Sequence, residues 1–270
     1  MNTLKIVSLA FASTLVLASC NTKTQEETPE TAAVLNENLA LSGNAEATES
    51  LTDAAAEASA ETYLYVTART GLSLREYNNL QSEKLAIMPY GSRLQILEKE
   101  TNPTMKVQHI AGGMDKVSFN RKTGYAFNGY LSRFFPPEAD MLPKAYANEL
   151  KKDFAKVTFK ESVQGTASKP INVETLVLPD ATWHEAYFIA QQTFKIPREF
   201  TFPNPKGKIK DMVKGPKKET DTWFDALHIN RDKEGFTELA YKYESAKSSR
   251  YVTITKVKEG IKIEQKLAYK

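Results

Sequence analysis

The sequence predicts a multi-domain chain: a small all-β barrel followed by an α+β domain with an antiparallel sheet. Three observations predict it. Between Tyr63 and Phe135, short β-rich runs are separated by turn signals. Beyond Pro136-Pro137 comes one strongly amphipathic helical pattern and then four alternating runs of strand length. Residues 21–61 contain no aromatic residue and are too polar to bury a core. The boundaries that follow are a leader at 1–19, a tether at 20–61, the barrel at 62–135 and the α+β domain at 140–270.

The leader begins with one positive side chain, Lys5, continues through an apolar stretch from Ile6 to Leu17 and ends in small residues, the pattern of a secretory signal peptide. Its apolar stretch is shorter than the roughly 20 residues that a spanning helix needs. Leu17-Ala18-Ser19-Cys20 resembles the lipobox of bacterial lipoproteins at every position. That resemblance implies cleavage before Cys20, a diacylglycerol on its sulfur and an acylated new N-terminus, so that a covalent lipid on Cys20 anchors the chain to a membrane of the cell envelope. Asn21 in place of Asp after the modified cysteine resembles the outer-membrane type. Cys20 is the single cysteine of the 270 residues, so after lipidation the chain has no thiol for a disulfide, a nucleophile or a thiolate metal site.

Residues 21–61 carry nine acids against Lys23 alone, a net charge of −8, whereas residues 62–270 carry +10. The acidic segment reads as a flexible tether with an end-to-end distance of roughly 35 Å. The basic remainder fits envelope polyanions or a surface with surplus lysine.

In the barrel region Tyr63 to Ala68, Leu72 to Leu74 and Arg93 to Leu97 read as strands. Lys116 to Phe119 faces Gly124 to Phe127 across Asn120-Arg121-Lys122-Thr123, a hairpin signature. Three blocks, Ala68 to Arg75, Met88 to Leu97 and Lys122 to Leu131, resemble in order the bacterial Src-homology-3-like (SH3-like) domain over about a quarter of the chain. The sequence departs from that family where tryptophans are frequent, having Met114 and Tyr125 there, and in an insertion around Asn102 to Gly113. The resemblance implies a binding module for cell-wall peptides or envelope proteins. Tyr65, Tyr77, Tyr90, Tyr125 and Tyr130 are candidates for an aromatic peptide groove, with a place in the core or rim as the plainer reading. Gly71, Gly91 and Gly124 are expected at turns needing positive φ.

Phe134-Phe135-Pro136-Pro137 ends the barrel. Lys144 to Phe154 predicts a helix, Val157 to Val163 and Ile171 to Leu178 predict strands, and Trp183 to Ile196 predicts the strongest helix. Its apolar face is Trp183, Ala186, Tyr187, Ala190 and Phe194, Thr182 and Glu185 form a capping box, and Pro197 ends it. A Pro/Lys/Gly-rich loop follows, with Lys206, Lys208, Lys210, Lys214, Lys217 and Lys218 as candidate anion-binding residues. Thr222 to Asn230, Phe236 to Glu244, Tyr251 to Lys258 and Ile261 to Tyr269 read as an antiparallel meander with a tight turn at Glu259-Gly260.

Catalytic chemistry finds little support. The histidines are His109, His184 and His228. His184-Glu185 begins like a zincin helix, but Phe188 stands where the second ligand belongs, and no metal site is expected. Asp180, Glu185, Asp221, Asp225 and Glu238 form no pattern that spacing can assign to acid/base work. The lysine-rich loop contains no aromatic residue for stacking nucleic-acid bases, so no nucleic acid is expected as partner. The expectation is a non-enzymatic envelope adaptor without cofactor apart from the lipid. Its alternative is a targeting barrel fused to a hydrolase or small-ligand-binding domain in residues 140–270.

Overall fold

The alternation of Leu94 and Ile96 (inward) with Arg93, Gln95 and Leu97 (outward) is the pattern of a half-buried strand, and Leu72–Arg75 and Gly260–Tyr269 repeat it. The structure, a computed structural model, describes residues 63–216 and 221–270. The leader, Cys20, the acidic tether, Lys217 and Lys218 lie outside the described residues. Among those described, no helix is long and apolar enough to cross a membrane.

The first region contributes β1 (Tyr63–Val66), β2 (Leu72–Arg75), β3 (Lys84–Met88), β4 (Arg93–Glu98), β5 (Met105–Val107), β6 (Ile110–Gly112), β7 (Met114–Phe119), β8 (Lys122–Phe127) and β9 (Leu131–Ser132). Seven of them form one antiparallel sheet in the order β3-β2-β8-β7-β4-β1-β9, and β5 pairs with β6 alone. The Asn102–Gly113 insertion is therefore mostly a small hairpin, whose turn residues Gln108 and His109 both have positive φ. The β7–β8 turn is tighter than expected: Phe119 pairs with Lys122 across Asn120 and Arg121, both at positive φ. Gly71 (φ 86°) and Gly91 (φ 81°) meet the expectation. Gly124 does not; it is required because an added Cβ would lie 2.5 Å from the Arg75 carbonyl oxygen on β2.

This sheet is open, which corrects the barrel expectation. β3 and β9 stand at its two ends and do not pair with each other. The physical reason lies in the segment after β8. A 3₁₀ turn, Asn128–Tyr130, carries the chain to a β9 of only two residues. There Ser132 and Arg133 turn toward the second region, Ser132 bonding Glu185 and Arg133 the Pro179 carbonyl. That end of the sheet is met by packing instead of by strand closure.

The second region contains α1 (Pro143–Leu150), β10 (Thr158–Thr166), β11 (Lys169–Leu178), α2 (Trp183–Thr193), β12 (Lys210–Lys214), β13 (Thr222–Arg231), β14 (Phe236–Ser245), β15 (Ser248–Val257) and β16 (Gly260–Tyr269). Its seven strands are antiparallel in the order β10-β11-β16-β15-β14-β13-β12. One face carries the core rows: Leu227, Tyr241 and Val252 are neighbours in register, as are Ile229, Leu239, Ile254, Ile263 and Leu176. Ala186, Tyr187, Ala190 and Phe194 of the α2 segment are fully buried, and α2 packs on β15 and β16. The capping box is present: the Thr182 hydroxyl accepts from Glu185 N–H and the Glu185 carboxylate accepts from Thr182 N–H. Both sheets lie in one compact unit, in which the apolar core runs continuously from Val66 and Leu94 to Ile254 and Ile263.

Candidate functional site

Between the two regions lies a cleft of about 540 Å³. Its far wall is aromatic. Tyr130, placed by the 3₁₀ turn after β8, stacks on Phe188 of α2 with ring centres 6.2 Å apart and planes 18° from parallel. Phe202, from the segment after α2, meets Phe188 edge-on at 6.3 Å. The β5–β6 hairpin supplies one lip, where Gln108 accepts a 2.6 Å bond from the Tyr130 hydroxyl. Apolar residues of the first sheet, Leu72, Met114 and Phe127, line the same cleft.

At its other end stand two arginines. Arg69 is the second residue of the Ala68–Gly71 turn, closed by the Gly71 N–H bond to the Ala68 carbonyl. Arg198 occupies the same position in the Pro197–Phe200 turn that follows α2. Their guanidinium groups converge on one neutral acceptor, the Gln192 amide oxygen, at 3.1 Å and 3.3 Å. Gln192 is 8% exposed, held on the last turn of α2. Burial, and then the charge of Arg198, push the Arg69 pKa down. Both arginines also border a second hollow of about 730 Å³, lined by Tyr65, Tyr90 and Phe135. Burial raises the Tyr90 pKa while the two arginines pull it back; its hydroxyl donates to the Pro137 carbonyl.

The sequence candidates divide accordingly. Tyr130 lines the first cleft, and Tyr65 and Tyr90 line the second. Tyr77 is 58% exposed and borders neither hollow; Tyr125 packs on the core through β8, in register with Arg75 and Lys116. The five do not form one groove: Tyr130 lines one hollow, Tyr65 and Tyr90 the other, and Tyr77 and Tyr125 neither. Of the lysines, Lys210 and Lys214 sit on β12, a strand that sequence reading took for a loop, at the edge of the second sheet. Charged side chains on an edge strand discourage pairing with another chain. The backbone before β12 is pinned: buried Arg231 donates to the Asn204 and Lys208 carbonyls.

His184 is packed edge-on against Phe188 and Phe202, and burial lowers its pKa. Among the described residues no group of three His, Cys, Asp or Glu side chains stands close enough to hold a metal ion. Sequence reading missed Arg69, Gln192 and Arg198. Arg69 lies in the run Ala68 to Arg75 with no signal of its own, and polar Gln191 and Gln192 fall outside the apolar face of α2. No family model, curated protein or solved structure matches this chain.

Proposed function

We propose that this chain is a lipid-anchored binding module of the bacterial cell envelope, held at Cys20 to a membrane of the outer-membrane type, with an SH3-like first domain. In this reading it acts as a non-enzymatic adaptor, and the cleft between the two sheets holds an extended wall peptide or a segment of an envelope protein. The observation that carries the reading is the cleft itself: stacked Tyr130 and Phe188 with Phe202 offer a preformed apolar wall, and the arginine end offers charge. A concave apolar surface with a few convergent polar groups is the usual form of a ligand site. Anchoring by two or three acyl chains through a flexible segment would raise the local partner concentration, so modest affinity suffices.

Two measurements test it. Intact mass of the native protein should show cleavage before Cys20 with lipid added to its sulfur; an unmodified cysteine removes the anchor. Full-length chain should be retained on purified wall sacculi and released by soluble wall peptides, with retention lost in Phe188→Ala. Equal retention of that variant would remove the cleft from the reading, and no retention at all would remove the wall as partner.

A further inference from the structure

We infer that Arg69 and Arg198 form an oxyanion subsite that receives the free C-terminal carboxylate of a peptide whose last apolar side chain lies on the Tyr130–Phe188–Phe202 wall. This rests on the proposed peptide-binding role and names the part of the ligand that is read.

Two like charges are brought together here by construction. Each arginine stands at the second position of its own hydrogen-bonded turn, one between β1 and β2 and the other directly after α2. Both turns aim into the same junction between the two hollows. Among the described residues neither guanidinium is paired with a carboxylate; each has the Gln192 oxygen as its partner. A guanidinium presents five N–H donors, so one bond apiece leaves most of the donor capacity unspent. A neutral amide oxygen carries no full charge to cancel the repulsion between the two guanidiniums, which adds to burial in lowering the Arg69 pKa. An arriving anion would relieve it. Glu138 lines the second hollow, beyond the pair.

The neighbouring surface selects among anions. A planar carboxylate fits the fork of an arginine in bidentate fashion, and Arg69 and Arg198 line the cleft whose opposite wall is aromatic. Inorganic phosphate would use the arginines and leave that wall empty. A peptide end supplies both parts at once, a carboxylate and, one Cα away, an apolar side chain. Gln192 then acts as a positioning residue: held at 8% exposure, its oxygen fixes both guanidiniums before the ligand arrives.

The experiment titrates the full chain with N-acetyl-phenylalanine, its C-terminal amide and inorganic phosphate, reading the arginine Nε–H and Gln192 side-chain amide NMR signals. The acid is expected to shift Arg69 and Arg198 signals saturably and to bind at least tenfold more tightly than the amide. Arg69→Gln and Arg198→Gln should each abolish that preference while leaving the weak binding of the amide unchanged, which also shows that the variants remain folded. Phe188→Ala should weaken acid and amide alike. Equal binding of acid and amide, or arginine variants that keep the preference, overturns the subsite. So does phosphate binding as tightly as the acid, because the site would then read charge alone. The wall reading fails separately: preference for the acid with no retention on sacculi leaves the subsite standing and removes only the wall as the peptide's source.

Discussion

Glu185 ties the start of α2 to the first sheet, and removing it should show whether the two regions fold as one. Its carboxylate accepts from Thr182 N–H at 2.8 Å, from the Thr182 hydroxyl at 2.7 Å and from the Ser132 hydroxyl at 2.6 Å. Ser132 is 3% exposed, and its oxygen also accepts from Phe134 N–H at 3.0 Å. Loss of a helix cap costs about 1 kcal/mol, and loss of a charge-assisted bond about 2 kcal/mol, so Glu185→Ala should cost about 3 kcal/mol. Ser132→Ala should cost about 2 kcal/mol, because it strands the buried Phe134 N–H. The two substitutions share one bond, and the double variant should fall short of their sum by about 1.5 kcal/mol. Urea unfolding followed by Trp183 fluorescence measures all four proteins: Trp183 opens α2 against Phe236, while Trp223, 64% exposed, can be replaced by Phe to remove its background. Additivity to within about 0.3 kcal/mol would refute the claim that Glu185 couples the two regions.

Lowering pH should weaken the fold through His184. Burial holds its imidazole below the usual 6.5 against the upward pull of Glu185, so the unfolded chain takes up the proton first; stability is level above that value and falls beneath it until the folded imidazole charges. His184→Asn should flatten this decline by up to about 1 kcal/mol between pH 7 and 5.5. Asp115 and Glu174, whose carboxyl pKa values burial raises, stabilise in the opposite direction as pH falls and do so in both proteins, leaving the difference to His184; parallel stability curves would assign the decline elsewhere. Tyr187→Phe should cost about 1 kcal/mol in chemical unfolding, because the Phe200 carbonyl that loses the 2.8 Å tyrosine bond keeps the Gln191 amide at 2.8 Å; a loss above about 3 kcal/mol would mean that Gln191 does not hold that carbonyl. Gly124→Ala should cost about 2 to 3 kcal/mol, since the new Cβ meets backbone oxygen of β2, and a thermal melt unchanged from the parent would contradict the close approach of β2 and β8.

The elements of the second region were legible because they are long and periodic. The last four runs of the sequence became β13 to β16 within three residues at each end, and the α2 cap was readable from Thr182 and Glu185 alone. β12 was not legible: Lys210-Asp211-Met212-Val213-Lys214 is exposed along its whole length and owes its extended form to pairing with β13, a partner 12 or more residues away. β3, β5 and β6 were missed for a related reason, their short runs lacking alternation until a neighbouring strand buries one side. The barrel expectation went astray on topology. Strand patterns say where chain is extended, whereas closure depends on where Tyr130, Ser132 and Arg133 find partners, and those partners belong to α2 and to the loop before it.

The same reasoning explains why the cleft could not be read in advance. Aromatic residues attract attention in sequence, but of the five tyrosines singled out only Tyr130 faces the first cleft, and its stacking partner Phe188 was noticed only as the residue occupying a missing ligand position. The polar end is harder still. Arg69 and Arg198 are 129 positions apart, and each looks like an ordinary turn arginine on a basic chain. What distinguishes them is Gln192, a polar residue outside the apolar face of α2 that is nonetheless buried and bonded by both arginines. A polar side chain turned inward at a junction between two sheets must be satisfied, and here two guanidiniums do so while retaining donors for something else. An Ala at Gln192 would release both arginines to solvent, so their convergence, and any selectivity for a carboxylate over its amide, depends on that one amide oxygen.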